Sequence, residues 1–127
     1  MPLRILVIDD EPMMGTTLKV TMRAHADVTS ELSAEAAWRR LEAGEEFDVI
    51  LCDLMLPEVT GMELHGRLME RSPALAERMI FMTGGAYTQE ATEFLHRARN
   101  LHVDKPFELD ELLDAIAVLR DRLEAEQ

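Results

Sequence analysis

A single cysteine, Cys52, stands in a chain of 127 residues. One thiol closes no internal disulfide and builds no zinc site alone. Its place in an apolar run points to inert burial rather than reactivity. Basic residues are scarce as well: 13 Lys and Arg face 25 Asp and Glu, for a formal charge of −12. Nonspecific nucleic-acid binding needs clustered Lys and Arg, and so does adhesion to an anionic membrane surface. Nucleic acid and membrane are therefore excluded as partners. No apolar stretch approaches the roughly 20 residues of a membrane helix, and no apolar leader segment opens the chain, so a cytoplasmic location is expected. Nucleotide signatures (G-x-G-x-x-G and G-x-x-x-x-G-K-[ST]) are missing, as are repeats and Gly/Ser linkers. The length suits one domain with one core, and an apolar content of 47% can fill it.

What is present is an alternation of short apolar runs with amphipathic stretches. Arg4 to Ile8 reads as a strand covered on both faces. Met13 to His25 carries Met14, Leu18 and Met22 at helical spacing. Asp27 to Thr29 is a short, weak strand. Ser33 can cap a helix from Ala34 to Ala43, which Gly44 can end. Asp48 to Cys52 is a second strong strand, ending at Asp53. Pro57 and Gly61 bracket a loop, a helix follows to about Glu70, and Pro73 breaks the chain. Arg78 to Met82 is a third strong strand, ending at Thr83. Thr88 to Arg97 reads as the fourth helix and Leu101 to Val103 as a weak strand ending near Lys105. The last helix runs from Leu109 to about Leu123. Strands alternating with helices predict an α/β fold with a five-stranded parallel sheet and helices on both faces. Three strongly apolar strands belong inside and two weak ones at the edges. That matches the flavodoxin-like, doubly wound order 2-1-3-4-5.

The stretch "LVIDDEP" runs a buried strand into two adjacent carboxylates, Asp9 and Asp10. Asp53, Thr83 and Lys105 follow strands 3, 4 and 5. Parallel strands share one carboxyl edge, and the ligand crevice of such sheets lies there, at the switch in strand order. Three carboxylates in one crevice repel one another unless one takes a proton or a cation sits among them. Mg²⁺ suits such a site because it accepts one or two carboxylates and leaves room for phosphate oxygens. Lys105 supplies positive charge, Thr83 a hydroxyl donor, and an aspartate can act as nucleophile toward phosphorus.

The motifs "VIDDEP", "ILCDLMLP" with the later Gly61, "FMTGG" and "DKPF" stand in that order, each of them at a strand end. Together they resemble the receiver domain of bacterial response regulators, the phosphoacceptor module of two-component signalling. The resemblance covers about Leu3 to Leu123. It implies that Asp53 is the phosphoacceptor. Asp9 and Asp10, with Asp53 and the backbone carbonyl of Met55, would hold Mg²⁺, with Mn²⁺ as a substitute. Thr83 would be the switch hydroxyl, Gly84 the small residue leaving the phosphoryl group accessible, and Lys105 its ion-pair partner. The Lys105–Pro106 bond would be cis. The implied donor is the phosphohistidine of a histidine kinase or phosphotransfer domain, or a small donor such as acetyl phosphate. The domain would be a monomer or weak dimer. It would signal by altered binding at the face of the fourth helix, fifth strand and last helix, with Glu90, Glu93, Arg97, Glu108 and Glu111 as contacts to a downstream protein.

Three positions depart from the family pattern. Met55 is apolar where many relatives carry a polar group, and Gly85 has no side chain, so neither is expected to orient a hydrolytic water. His102 replaces the usual Tyr or Phe of the switch, and a histidine ring prefers a hydrogen-bond partner. The other histidines, His25, His65 and His96, have no metal-ligand spacing and read as surface residues. Trp38 and the nine methionines read as packing. Two alternatives stand beside the receiver. One is an unphosphorylated receiver-like binding module. The other is a haloacid-dehalogenase-type phosphatase, against which "DLM" lacks the second Asp of a D-x-D nucleophile motif. No output domain is read after the last helix, so the chain is expected to be one receiver domain. It is either free-standing or the receiver part of a hybrid sensor kinase.

Overall fold

The computed structural model describes residues 2–85 and 88–126. Five strands form one sheet: β1 (Leu3–Ile8), β2 (Ala26–Glu31), β3 (Val49–Asp53), β4 (Met79–Thr83) and β5 (His102–Asp104). All four neighbouring pairs are parallel and the order is β2-β1-β3-β4-β5. The helices are α1 (Pro12–Thr21), α2 (Ala34–Glu42), α3 (Gly61–Arg71), a single turn α4 (Pro73–Ala76), α5 (Gln89–Ala98) and α6 (Leu109–Ala125).

Side chains alternate across a strand with period two, and here the alternation divides the interior into two cores. Leu6 and Ile8 of β1, Ile50 and Cys52 of β3, and Met79 and Phe81 of β4 face one side. They pack with Ala37 and Leu41 of α2, Leu64 and Leu68 of α3, and Phe94 of α5. Ile5, Val7, Val49, Leu51, Ile80, Met82 and Val103 face the other side, against Leu18 of α1 and Leu112, Ile116 and Leu119 of α6. This is why the inner strands are apolar without a break. Each fully buried side chain of this size contributes about 1.5–3 kcal/mol.

Local signals set the helix ends. Ser33 Oγ accepts from the Ala36 amide at 3.1 Å, and Thr60 with Glu63 forms a reciprocal capping box at the start of α3. Gly44 closes α2 at a φ of +94°. Arg99, just after α5, adopts the left-handed conformation at a φ of 62°. Asn100 then donates to the carbonyls of Ala76 and Met79 at 2.9 Å each.

Several expectations need correction. β2 is six residues long, not three, because it pairs with β1 along its whole length. α1 stops at Thr21, short of His25. Pro73 does not merely break the chain; it opens the turn α4. The methionines divide: Met22, Met79 and Met82 are buried, whereas Met13, Met55 and Met69 are exposed. His65 is half-buried rather than on the surface. Its ring meets Phe94 edge-on at 5.1 Å and Phe81 at 6.1 Å. Trp38 is indeed packed against the core, with Arg67 and Arg71 near its ring.

Burial holds the His65 imidazole below its ordinary pKa; the hydrogen bond with Asn100 opposes this, and the charge of Arg97 adds to it. The folded state therefore prefers neutral His65, and the unfolded chain takes up the proton first as pH falls. Stability should rise with pH through the ordinary imidazole range, around 6.5, and be lost on acidification below it. Urea unfolding of wild type and His65→Leu between about pH 7 and about pH 5 checks this. The expected result is a shallower pH slope in the variant; equal slopes would refute the assignment.

Candidate functional site

The carboxyl ends of β1, β3, β4 and β5 converge on one cluster. Asp9 extends β1 and is 2% exposed, and its amide donates to Glu31 O at 3.1 Å. Asp53 ends β3 and is half-buried, and Asp10 is exposed. Oxygens of Asp9, Asp10 and Asp53 all lie within 4.8 Å of one another. Lys105, just past β5, brings its ammonium into the group, with Nζ 2.7 Å from Asp9 Oδ2 and 3.3 Å from Asp53 Oδ2. The backbone supplies the remaining donors: Glu11 N to Asp9 Oδ1 at 2.9 Å and Met55 N to Asp53 Oδ1 at 3.1 Å. A buried carboxylate requires such partners, since an unpaired one costs several kcal/mol. Among the described residues, no buried side-chain polar atom lacks a partner.

Burial alone would lower the Lys105 pKa, but the hydrogen bond that Lys105 donates to Asp9 and the charges of Asp53 and Asp9 outweigh it and raise it. Lys105 therefore remains a cation. Three carboxylates and one ammonium still leave two negative charges uncompensated. A small dication bound by oxygen would neutralise them, and each carboxylate has lone pairs beyond those already engaged. The donor set thus fits a hard divalent metal. Cys52 directly beneath takes no part: its thiol is wholly buried and its pKa is pushed far up by that burial.

Thr83 is the buried last residue of β4, 2% exposed. Its carbonyl accepts from the Lys105 amide at 2.7 Å, and its hydroxyl donates to Asp104 Oδ1 at 2.5 Å. Asp104 was not singled out in the sequence. The signal that reveals it is register, because Asp104 stands directly across from Thr83 in the β4–β5 pairing. Gly84 is exposed, and a Cβ there would meet nothing within 4 Å; Gly85 has a φ of +87°. The Lys105–Pro106 bond is cis. Met55 is 46% exposed beside Asp53. His102 lies apart from the cluster, exposed on β5 and registered with Phe81.

A doubly wound parallel sheet that gathers three carboxylates and an ammonium at the carboxyl edge of its switch point defines an α/β protein with an acidic, cation-ready pocket. Comparison with known proteins narrows the class. A family profile described as response regulator receiver domain matches residues 5–117, and the chain belongs to that family. Among curated relatives, Protein PetR of Rhodobacter capsulatus is 35% identical over 120 residues, 94% of this chain and 49% of that protein. The nitrate/nitrite response regulator protein NarL of Escherichia coli K12 is 30% identical over 117 residues, 91% of this chain and 53% of that protein. The chain thus spans about half the length of these relatives. Among solved structures, a CheY-like response regulator receiver domain protein from Methanospirillum hungatei JF-1 superposes with a TM-score of 0.86 at 26% identity, covering all of both chains. Receiver domains are signalling modules, and the family match is to that class rather than to the haloacid-dehalogenase-type phosphatases.

Gly61 ties this site to α3. It is the first residue of that helix, and its amide donates to Leu54 O at 3.0 Å. A Cβ on Gly61 would stand 2.6 Å from the Asp53 carbonyl oxygen, a backbone atom with little freedom to move. Gly61→Ala should therefore destabilise by about 1–3 kcal/mol. Gly66→Ala, in the same helix with open space around it, should instead stabilise by about 0.5–1 kcal/mol. Urea unfolding of the two variants reads both signs; equal effects would mean that the close approach to Asp53 O is immaterial.

Proposed function

We propose that Asp53 accepts a phosphoryl group from the phosphohistidine of a histidine kinase or phosphotransfer domain. A carboxylate oxygen of Asp53 bonds to phosphorus, the P–N bond to the imidazole breaks, and the freed imidazole nitrogen keeps the electron pair and takes a proton from solvent. The observation that carries this reading is the approach of the Lys105 ammonium to Asp53 within a cluster of three carboxylates. Asp9, Asp10, Asp53 and the carbonyl of Met55 would hold Mg²⁺, or Mn²⁺ in its place. When bound, the ion offsets negative charge on the phosphoryl oxygens. Lys105 pairs with one such oxygen, the Thr83 hydroxyl donates to another, and Gly84 leaves the phosphoryl group room to enter. Asp10, the exposed member, is free to turn toward the metal.

The output is altered binding at the face of α5, β5 and α6, where Glu90, Glu93, Arg97, Glu108 and Glu111 are all exposed. That face is the surface for a downstream protein of a cytoplasmic pathway. Among the described residues, no helix is long and apolar enough to cross a membrane. The module serves either as a free-standing regulator or as the receiver part of a hybrid sensor kinase, and in both settings the chemistry of Asp53 is the same.

Intact mass after incubation with acetyl phosphate, with and without Mg²⁺, tests the reading. The expected result is a metal-dependent gain of one phosphoryl group that is lost in Asp53→Ala. No gain despite measurable Mg²⁺ binding, repeated with a phosphorylated histidine kinase as donor, would favour a silent binding module instead. A second measurement concerns the lifetime of the phosphorylated form. Met55 and Gly85 bring no polar side chain to the path of the hydrolytic water. Met55→Asn and Gly85→Glu should therefore change the rate of dephosphorylation, and unchanged lifetimes in both would count against this account.

A further inference from the structure

The alternation of strand side chains assigns the site residues to two sides of the sheet. Ile8 and Cys52 face the α2/α3/α5 core, so Asp9 and Asp53, one residue later, turn toward the α1/α6 side. Val103 faces the α1/α6 core, so Asp104 turns to the opposite side and Lys105 returns to the side of Asp9 and Asp53. Met82 also faces the α1/α6 core, so Thr83 turns away from it, toward the side of Asp104. Two consecutive residues of one strand end therefore carry opposite duties. Lys105 reaches the carboxylate cluster, and Asp104 takes the hydroxyl of Thr83.

Thr83 and Asp104 are direct cross-strand partners. A threonine hydroxyl has one proton to give, and an ionised carboxylate can only accept. At 2.5 Å from Asp104 Oδ1, the Thr83 proton is committed to that carboxylate. It cannot at the same time be given to a phosphoryl oxygen on Asp53. Asp104 is exposed, so water can solvate its carboxylate once the bond breaks. The bond therefore acts as a brake of limited strength.

We propose that Asp104 is a positioning residue that holds the Thr83 hydroxyl in its resting orientation and competes with the phosphoryl group for its proton. This rests on the phosphoacceptor reading of Asp53. Phosphorylation must break the Thr83–Asp104 bond before Thr83 can engage. Asp104 thereby raises the threshold for switching without touching the phosphoryl group.

Binding of beryllofluoride in the presence of Mg²⁺, as a stand-in for the phosphoryl group, tests this in a double-mutant cycle of Asp104→Ala with Thr83→Ala. Removing a charge-assisted acceptor should tighten beryllofluoride binding about three- to tenfold in Asp104→Ala. The effect should vanish when Thr83→Ala is already present. Asp104→Asn, which keeps an acceptor but loses the charge, should fall between wild type and Asp104→Ala. In the metal-free protein, NMR should detect a slowly exchanging Thr83 hydroxyl proton that is lost in Asp104→Ala. Equal tightening with and without Thr83, or no tightening at all, would overturn the brake while leaving the phosphoacceptor reading intact. If wild type itself binds no beryllofluoride with Mg²⁺, the phosphoacceptor reading falls, and the brake falls with it.

Discussion

The ion pair between Lys105 and Asp9 joins residues 96 positions apart in the chain, and the site depends on it. Asp9 is a nearly fully buried carboxylate, and its neighbours Asp10 and Asp53 carry the same sign. Repulsion among them would open the sheet edge if no cation stood between them. In the resting fold Lys105 is that cation. It comes from β5, a strand of three residues at the far edge, so it arrives only if β1, β3, β4 and β5 lie side by side in that order. The amide of Lys105 is fixed to Thr83 O, so the long side chain is aimed by backbone pairing. Electrostatics and topology therefore constrain each other: the carboxylates need the lysine, and the lysine needs the sheet.

The same strand tips separate two tasks by the parity of the β-pleat. The charges that would meet a metal and a phosphoryl group lie toward α1 and α6. The hydroxyl of Thr83 and the carboxylate of Asp104 lie toward α5. Each side sits on its own apolar core, so a change at the tips is transmitted into packed material rather than into loose loops. Below Thr83 on the same side lies Phe81, packed against Phe94 of α5 with their ring centroids 5.3 Å apart, and His65 of α3 closes that group. Helix α5 is thus in direct aromatic contact with the strand that ends at Thr83.

Much of this was legible in the residues alone, and what was missed follows a physical pattern. Strands β1, β3 and β4 were visible because both of their faces are buried, which leaves a continuous apolar run. Ser33 and Gly44 were visible because capping is local chemistry, read from a few neighbouring residues. The Asp9, Asp10 and Asp53 positions were visible because they end or directly follow such strands, and Lys105 because it stands in the "DKPF" motif after β5. The full length of β2 was hidden, since an edge strand exposes one face and its extent is set by pairing with β1. The burial of His65 was hidden because its neighbours Phe81 and Phe94 come from other elements.

The sequence by itself determined the alternation of strands and helices, the strand order and the gathering of acidic residues, because apolar period and strand-end chemistry are properties of short segments. Register belongs to the tertiary structure alone. Only when Thr83 stands across from Asp104 does that aspartate become the acceptor of the Thr83 hydroxyl. Only when β5 docks against β4 does Lys105 reach Asp9 and Asp53. Hydrogen bonds and ion pairs depend on distances of a few ångströms between segments far apart in the chain, and those distances exist only once the whole sheet has formed.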